Sequence, residues 1–190
     1  SLWDTYKIYA NSFADEELLK FRPTDDGEDN PTLKDLKKLN PDVKAWIQVP
    51  KTNIDYPVVQ GQDDMEYINK NVYGEFELSG AIFLSCLNKD DFSDPYNLVY
   101  GHNMKNGTMF AKLLKFREES FLKKHHVIIL YTPKKTMHLK VISAYAVKAQ
   151  DQMPITFANE TQKKEYITKI RRMSAPSIKL DDKKIDRIYT

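Results

Sequence analysis

Cysteine is nearly absent: Cys86 is the only one in 190 residues. An internal disulfide is therefore excluded, and so is a metal site built on several thiolates. That usage fits a cytosolic protein, and fits equally an exported protein from an organism that makes few disulfides. Glycine is scarce, at 6 residues, and forms no phosphate-binding loop. No HExxH, CxxC or EF-hand spacing occurs, so no metal and no organic cofactor is expected. No run approaches the about 18 apolar residues that cross a bilayer, and no signal peptide is visible at Ser1. A dominant charge is missing too. Lys and Arg number 29 against 27 Asp and Glu, and the lysines are scattered, so neither nucleic acid nor a membrane-binding basic patch is expected. Internal repeats and low-complexity segments are absent.

What is present is an ordinary globular composition, 41% hydrophobic, in a length that suits one domain with a real core. The chain opens without Met inside a helical pattern, so a trimmed N-terminus is expected. Leu2, Tyr6, Tyr9 and Phe13 predict an amphipathic helix over 2–20. An acidic, breaker-rich linker follows over 23–31, giving an N-terminal extension (1–31) ahead of the main domain (32–190). Thr32 and Asp35 read as a capping box for a short helix ending at Leu39. Short strands are predicted at 45–49, 54–59, 81–86 and 98–100, with Pro57 marking an edge or a bulge. A helical turn is expected at 63–69 and a helix over 108–123, broken near Phe116. A hairpin over 127–132 and 137–147 turns at 133–135, a helix covers 160–173, and a last strand begins at Ile185. The fold class is mainly β (α+β), a closed or nearly closed barrel with helices at its edges.

The chemistry centres on Asn97–Phe110, an apolar strand that ends on Gly101-His102 before a turn. Imidazole suits proton transfer near neutral pH. From spacing alone a structural histidine is the favoured reading, but Gly101 and the turn place the ring at a strand end, where function collects. Cys86 could act as a nucleophile paired with His102. Against this, Cys86 lacks a cationic neighbour in sequence and reads more simply as a strand-end residue. The vicinal His125-His126 pair points to opposite faces of a strand, and His138 reads as a surface residue. The pairs Asp63-Asp64, Asp90-Asp91 and Asp181-Asp182 read as turn caps, and the mixed charges of 160–172 as a solvated helix face.

Several segments in order resemble the sortases, within them class B: Asn40-Pro41-Asp42 with Trp46-Ile47; Thr52 to Gln60; Asp63-Asp64-Met65-Glu66-Tyr67-Ile68; Gly80 to Phe83; and Tyr100-Gly101-His102-Asn103-Met104 followed by Gly107 to Phe110. The resemblance implies an eight-stranded β-barrel with N-terminal helices. It implies a cysteine transpeptidase on the outer face of a Gram-positive membrane, with a single-pass anchor upstream. Such enzymes cut a C-terminal sorting-signal peptide of a secreted surface protein at Thr–Gly or Thr–Asn, and pass the acyl group to an amine of a cell-wall peptidoglycan precursor. His102 matches the catalytic histidine, and Tyr100 and Ile68 match positions lining the substrate groove. The family's nucleophile sits in a Thr-Leu-x-Thr-Cys strand end, followed by an Arg on the next strand. This sequence runs Asp186-Arg187-Ile188-Tyr189-Thr190, like the approach to that segment, so the chain is expected to lack the nucleophile and the Arg and to be inactive as it stands. Arg187 precedes that segment and does not match the Arg. Met153, Pro154 and Ile155 are expected either to contact the motif or to pack on the barrel. Rival readings are a thiol hydrolase using Cys86 with His102, a non-catalytic barrel that binds sorting peptides, and a plain adaptor.

Overall fold

Two-sided burial shapes the central strands. In β1 (Val43–Gln48), Ala45 and Ile47 face one apolar cluster while Val43 and Trp46 face another. The same division runs through β2 (Asp55–Val59), β3 (Ile82–Leu84) and β6 (Val127–Thr132), which is why they read as apolar runs. The inner cluster includes Tyr56, Val58, Ile82, Leu84 and Leu130; the outer one includes Phe83, Ile129 and Tyr131, covered by Leu33 and Leu36. The computed structural model describes residues 16–24, 29–148, 154, 156–174 and 185–190. Its remaining elements are α1 (Glu16–Leu19), α2 (Pro31–Leu39), β4 (Tyr96–Asn97), β5 (Val99–Tyr100), a 3₁₀ helix (Ala111–Arg117), α3 (Glu119–Lys124), β7 (Lys135–Lys140), α4 (Glu160–Met173) and β8 (Ile188–Tyr189).

Six strands form a curled sheet in the order β5-β3-β2-β1-β6-β7, and β4 pairs with β8 in parallel. The two ladders join, because Val99 N–H donates to the Thr190 carbonyl at 2.7 Å while Val99 also pairs with Leu84. Across the curl, the Tyr189 hydroxyl donates to Met137 Sδ on β7 at 3.4 Å. The mainly β, α+β architecture expected from the sequence is what forms, as a curled half-barrel with helices at its margins.

Several local expectations need correction. The N-cap of α2 is Asn30, with Pro31 opening the helix, so Thr32 makes no capping box. The Asn30 amide is drawn away to the β6–β7 turn, donating to the Thr132 carbonyl at 2.7 Å and to Thr136 Oγ1 at 3.1 Å. Pro57 lies on an inner strand rather than an edge; β2 meets β3 only from Val58 onward, and the bulge sits in β1 between Val43 and Ala45. Residues 64–68 form turns and no helix. The hairpin turn is tighter than expected, with β7 beginning at Lys135 and ending at Lys140. Of the expected helix 2–20, residues 16–20 fall within the described residues; Glu16–Leu19 is helical, Lys20 lies in a turn, and Leu18 packs with the outer cluster.

Candidate active site

His102 follows β5 at the sheet's edge. Tyr100 pairs with Phe83 in the ladder, and their rings stack at 5.0 Å. Between Tyr100 and His102 the backbone is pressed against its neighbours: a Cβ at Gly101 would lie 2.5 Å from Ile82 Cδ1 and 2.6 Å from the Phe110 ring. A side chain at 101 would force the Ile82 and Phe110 side chains to shift. The His102 carbonyl accepts from Phe110 N–H at 2.8 Å, and Asn103 bridges Met109. The ring is partly exposed, and its Nε2 lies 2.7 Å from the Ile68 carbonyl oxygen. The structure thus brings His102 and Ile68 into direct contact through the backbone of Ile68. The Ile68 side chain is partly buried against the outer cluster.

Tyr100 is 38% exposed, enough for its ring to meet a ligand. Burial raises its hydroxyl pKa above the ordinary tyrosine value, with the negative Asp64 nearby adding to the effect. The same carboxylate shapes Cys86. Asp64 accepts from Cys86 N–H at 2.7 Å and from the Ser85 hydroxyl at 3.0 Å. Burial and the Asp64 carboxylate together push the Cys86 thiol above its ordinary pKa. A nucleophilic cysteine needs the opposite surroundings. Asp64 is therefore a strand tie rather than the simple turn cap expected. Asp63 and Asp91 do cap turns, accepting from Met65 and Ser93 N–H, and Asp90 lies 3.6 Å from Lys44. Asp181-Asp182 lies outside the described residues, as do Met153 and Ile155; Pro154 is partly buried.

The strand pair beside this site is latched by polar groups that the sequence reading missed. Asn88 donates to the Tyr96 carbonyl at 2.7 Å and accepts from Leu98 N–H at 2.9 Å. Lys163 was expected on a solvated face. It is instead buried, and its ammonium donates to the Asp186 carbonyl at 3.0 Å, tying α4 to the approach of β8. The helical spacing did hint at this, since Lys163 shares a face with buried Ile167 and Ile170. Arg187 donates to the Phe92 carbonyl at 3.3 Å, a structural use. His125 packs against the Phe121 ring at 4.9 Å, His126 Nδ1 lies 3.2 Å from the Lys123 carbonyl, and His138 is exposed on β7. Among the described residues, no group of three His, Cys, Asp or Glu side chains could hold a metal. No described helix is long and apolar enough to cross a membrane.

The curled β-sheet with a histidine at the end of an edge strand matches a known protein family. The family model of the sortase domain matches residues 47–170, so the chain belongs to the sortase family, within class B. It is 32% identical over 167 residues to sortase B of Listeria monocytogenes, covering 86% of this chain and 67% of that protein. Against sortase B of Staphylococcus aureus it is 29% identical over 161 residues, covering 84% of this chain and 66% of the relative. The chain thus spans about two thirds of the length of both relatives. Among solved structures, a Staphylococcus aureus sortase B–substrate complex matches with a TM-score of 0.76 and 28% identity, over 80% of this chain and 70% of that one. Sortase B from Bacillus anthracis matches with a TM-score of 0.81 and 26% identity, over 95% and 86% of the two chains. Clostridium perfringens sortase B matches with a TM-score of 0.74 and 35% identity, over 79% and 85%.

Proposed function

We propose that this chain forms the barrel of a cell-wall sorting cysteine transpeptidase in which His102 is the acid–base group. A thiolate attacks the threonine carbonyl carbon of a sorting motif at Thr–Gly or Thr–Asn. His102 protonates the departing amine, leaving a thioacyl enzyme. A cell-wall amine then attacks the thioester, His102 takes its proton, and the thiolate is released as the new amide forms. Splitting the amide exchange this way needs no cofactor. An arginine beyond the described strands would steady the oxyanion. Tyr100 and Ile68 line the groove, in keeping with the exposure of Tyr100 beside His102. The setting is the outer face of the cell membrane, with an anchor ahead of this chain, and the partners are a sorting-signal peptide and a peptidoglycan amine.

One observation carries the reading. β4 and β8 pair in parallel, Asn97 with Tyr189, and the contact continues at Val99 with Thr190. A strand continuing in that register would stand level with His102 at the fourth position after Thr190, by extension of the Asn97–Tyr189 pairing. A sulfur placed there meets the imidazole, as the Thr-Leu-x-Thr-Cys pattern beginning at Thr190 requires. Cys86 is poorly suited to the role, because burial and Asp64 raise its thiol pKa above the ordinary value. The similarity to a substrate-bound sortase B supports peptide recognition by this fold.

The test is mass mapping of the acyl adduct. The protein, carrying residues beyond Thr190, is quenched with acid during turnover of a sorting peptide. The expected adduct lies on a cysteine past Thr190. An adduct on Cys86, or turnover by a chain verified to end at Thr190, overturns the proposal.

A further inference from the structure

The structure assigns Gly80 and the Ile68 carbonyl a positioning role: together they fix which nitrogen of His102 carries the proton. The assignment goes beyond the transpeptidase reading and rests on it only for the use made of the ring. A carbonyl oxygen can only accept, so the 2.7 Å contact requires the hydrogen on His102 Nε2. In the neutral ring Nδ1 is then the basic nitrogen, and it is Nδ1 that exchanges a proton with the substrate amine.

The carbonyl is itself held from behind. Gly80 adopts φ +60°, a left-handed conformation natural to glycine. A Cβ there would lie 2.5 Å from the Tyr67 carbonyl oxygen and 2.8 Å from the Ile68 carbonyl carbon. Those are backbone atoms, so a side chain at 80 displaces the peptide that His102 leans on. Ala81 N–H donates to the Tyr67 carbonyl at 3.1 Å and locks the two segments together. The loop between them is braced by its own polar groups: Glu77 N–H donates to the Asn69 carbonyl, and the buried Glu77 carboxylate accepts from Asn71 and Ser79. At the other end of the residue, Phe110 N–H pins the His102 carbonyl. Ring and backbone are thus fixed by different elements, and the ring by a main-chain group that no substitution of Ile68 removes.

The experiment is ¹⁵N NMR of the four imidazoles in the 190-residue chain, with His102 assigned from His102→Gln. At a pH where the ring is neutral, His102 is expected as the Nε2–H form with that proton slow to exchange. Unconstrained imidazole favours the same form, so slow exchange carries the weight. Gly80→Ala should speed the exchange about tenfold, as loss of one neutral hydrogen bond implies. Ile68→Ala, which keeps the carbonyl, should leave it unchanged. A proton on Nδ1 in the wild-type chain overturns the assignment even if Gly80→Ala fails to fold. Equal acceleration in Ile68→Ala and Gly80→Ala overturns it as well, because packing alone then protects the ring. No substrate enters these readings, so their failure is distinguishable from failure of the transpeptidase proposal, which is judged by acyl mapping.

Discussion

Strands β1 and β8 are held in the same molecule by opposite means. β1 has six residues, ladder partners on both sides and apolar clusters on both faces. β8 has two residues, one ladder partner, and only Ile188 buried. What β1 gains from packing, β8 receives from polar ties: Val99 and Thr190 to each other, and Lys163 to the Asp186 carbonyl. Packing makes a rigid frame that tolerates nothing missing. Hydrogen bonds place a strand with little burial at an open edge.

The largest effect that sharpens this contrast is expected in the frame. Trp46 is fully buried, and its indole N–H donates to Asp55 at 2.7 Å. Trp46→Ala should cost about 3–5 kcal/mol in urea unfolding and lower the protection of every strand together. A loss under about 1 kcal/mol would mean that the outer cluster is not the frame.

A smaller, local effect is expected at the edge. Lys163→Met keeps the apolar stem and removes the bond to Asp186. The Ile188 and Thr190 amides, which donate to Pro95 and Asn97, should exchange about fivefold faster, equivalent to about 1 kcal/mol. Amides of β1 and β2 should be unaffected. Uniform acceleration across all strands would break the contrast, because α4 would then belong to the frame.

The same contrast explains what could be read from sequence. Apolar runs located β1, β2 and β6 to within a residue or two, because two-sided burial leaves a continuous trace. α4 was legible to its ends, with Asn159 capping Gln162 N–H. The edge was less legible. Nothing local marks Asn30 as a partner of Thr132, 102 residues away, and so Thr32 looked like the cap. Lys163 looked like part of a charged face because its partner is a carbonyl 23 residues on. His102 was found from Gly101 and the turn, but the Ile68 carbonyl that holds its ring has no side-chain signature at all. Tyr100 and Ile68 were carried over from the family's motifs; the contact between Ile68 and His102 comes from tertiary structure. Cys86 shows the limit in the other direction: its isolation in sequence concealed Asp64, 22 residues earlier, whose carboxylate holds its backbone N–H and helps to raise its thiol pKa.

The most direct test of the central claim, a histidine at the sheet edge serving a thiol on the strand that continues β8, is sorting-peptide cleavage by the protein carrying residues beyond Thr190. Cys86→Ala and His102→Gln are assayed side by side. The account predicts an unchanged rate for Cys86→Ala and a loss of at least about 100-fold for His102→Gln. Loss of cleavage in Cys86→Ala, or its survival in His102→Gln, would contradict it.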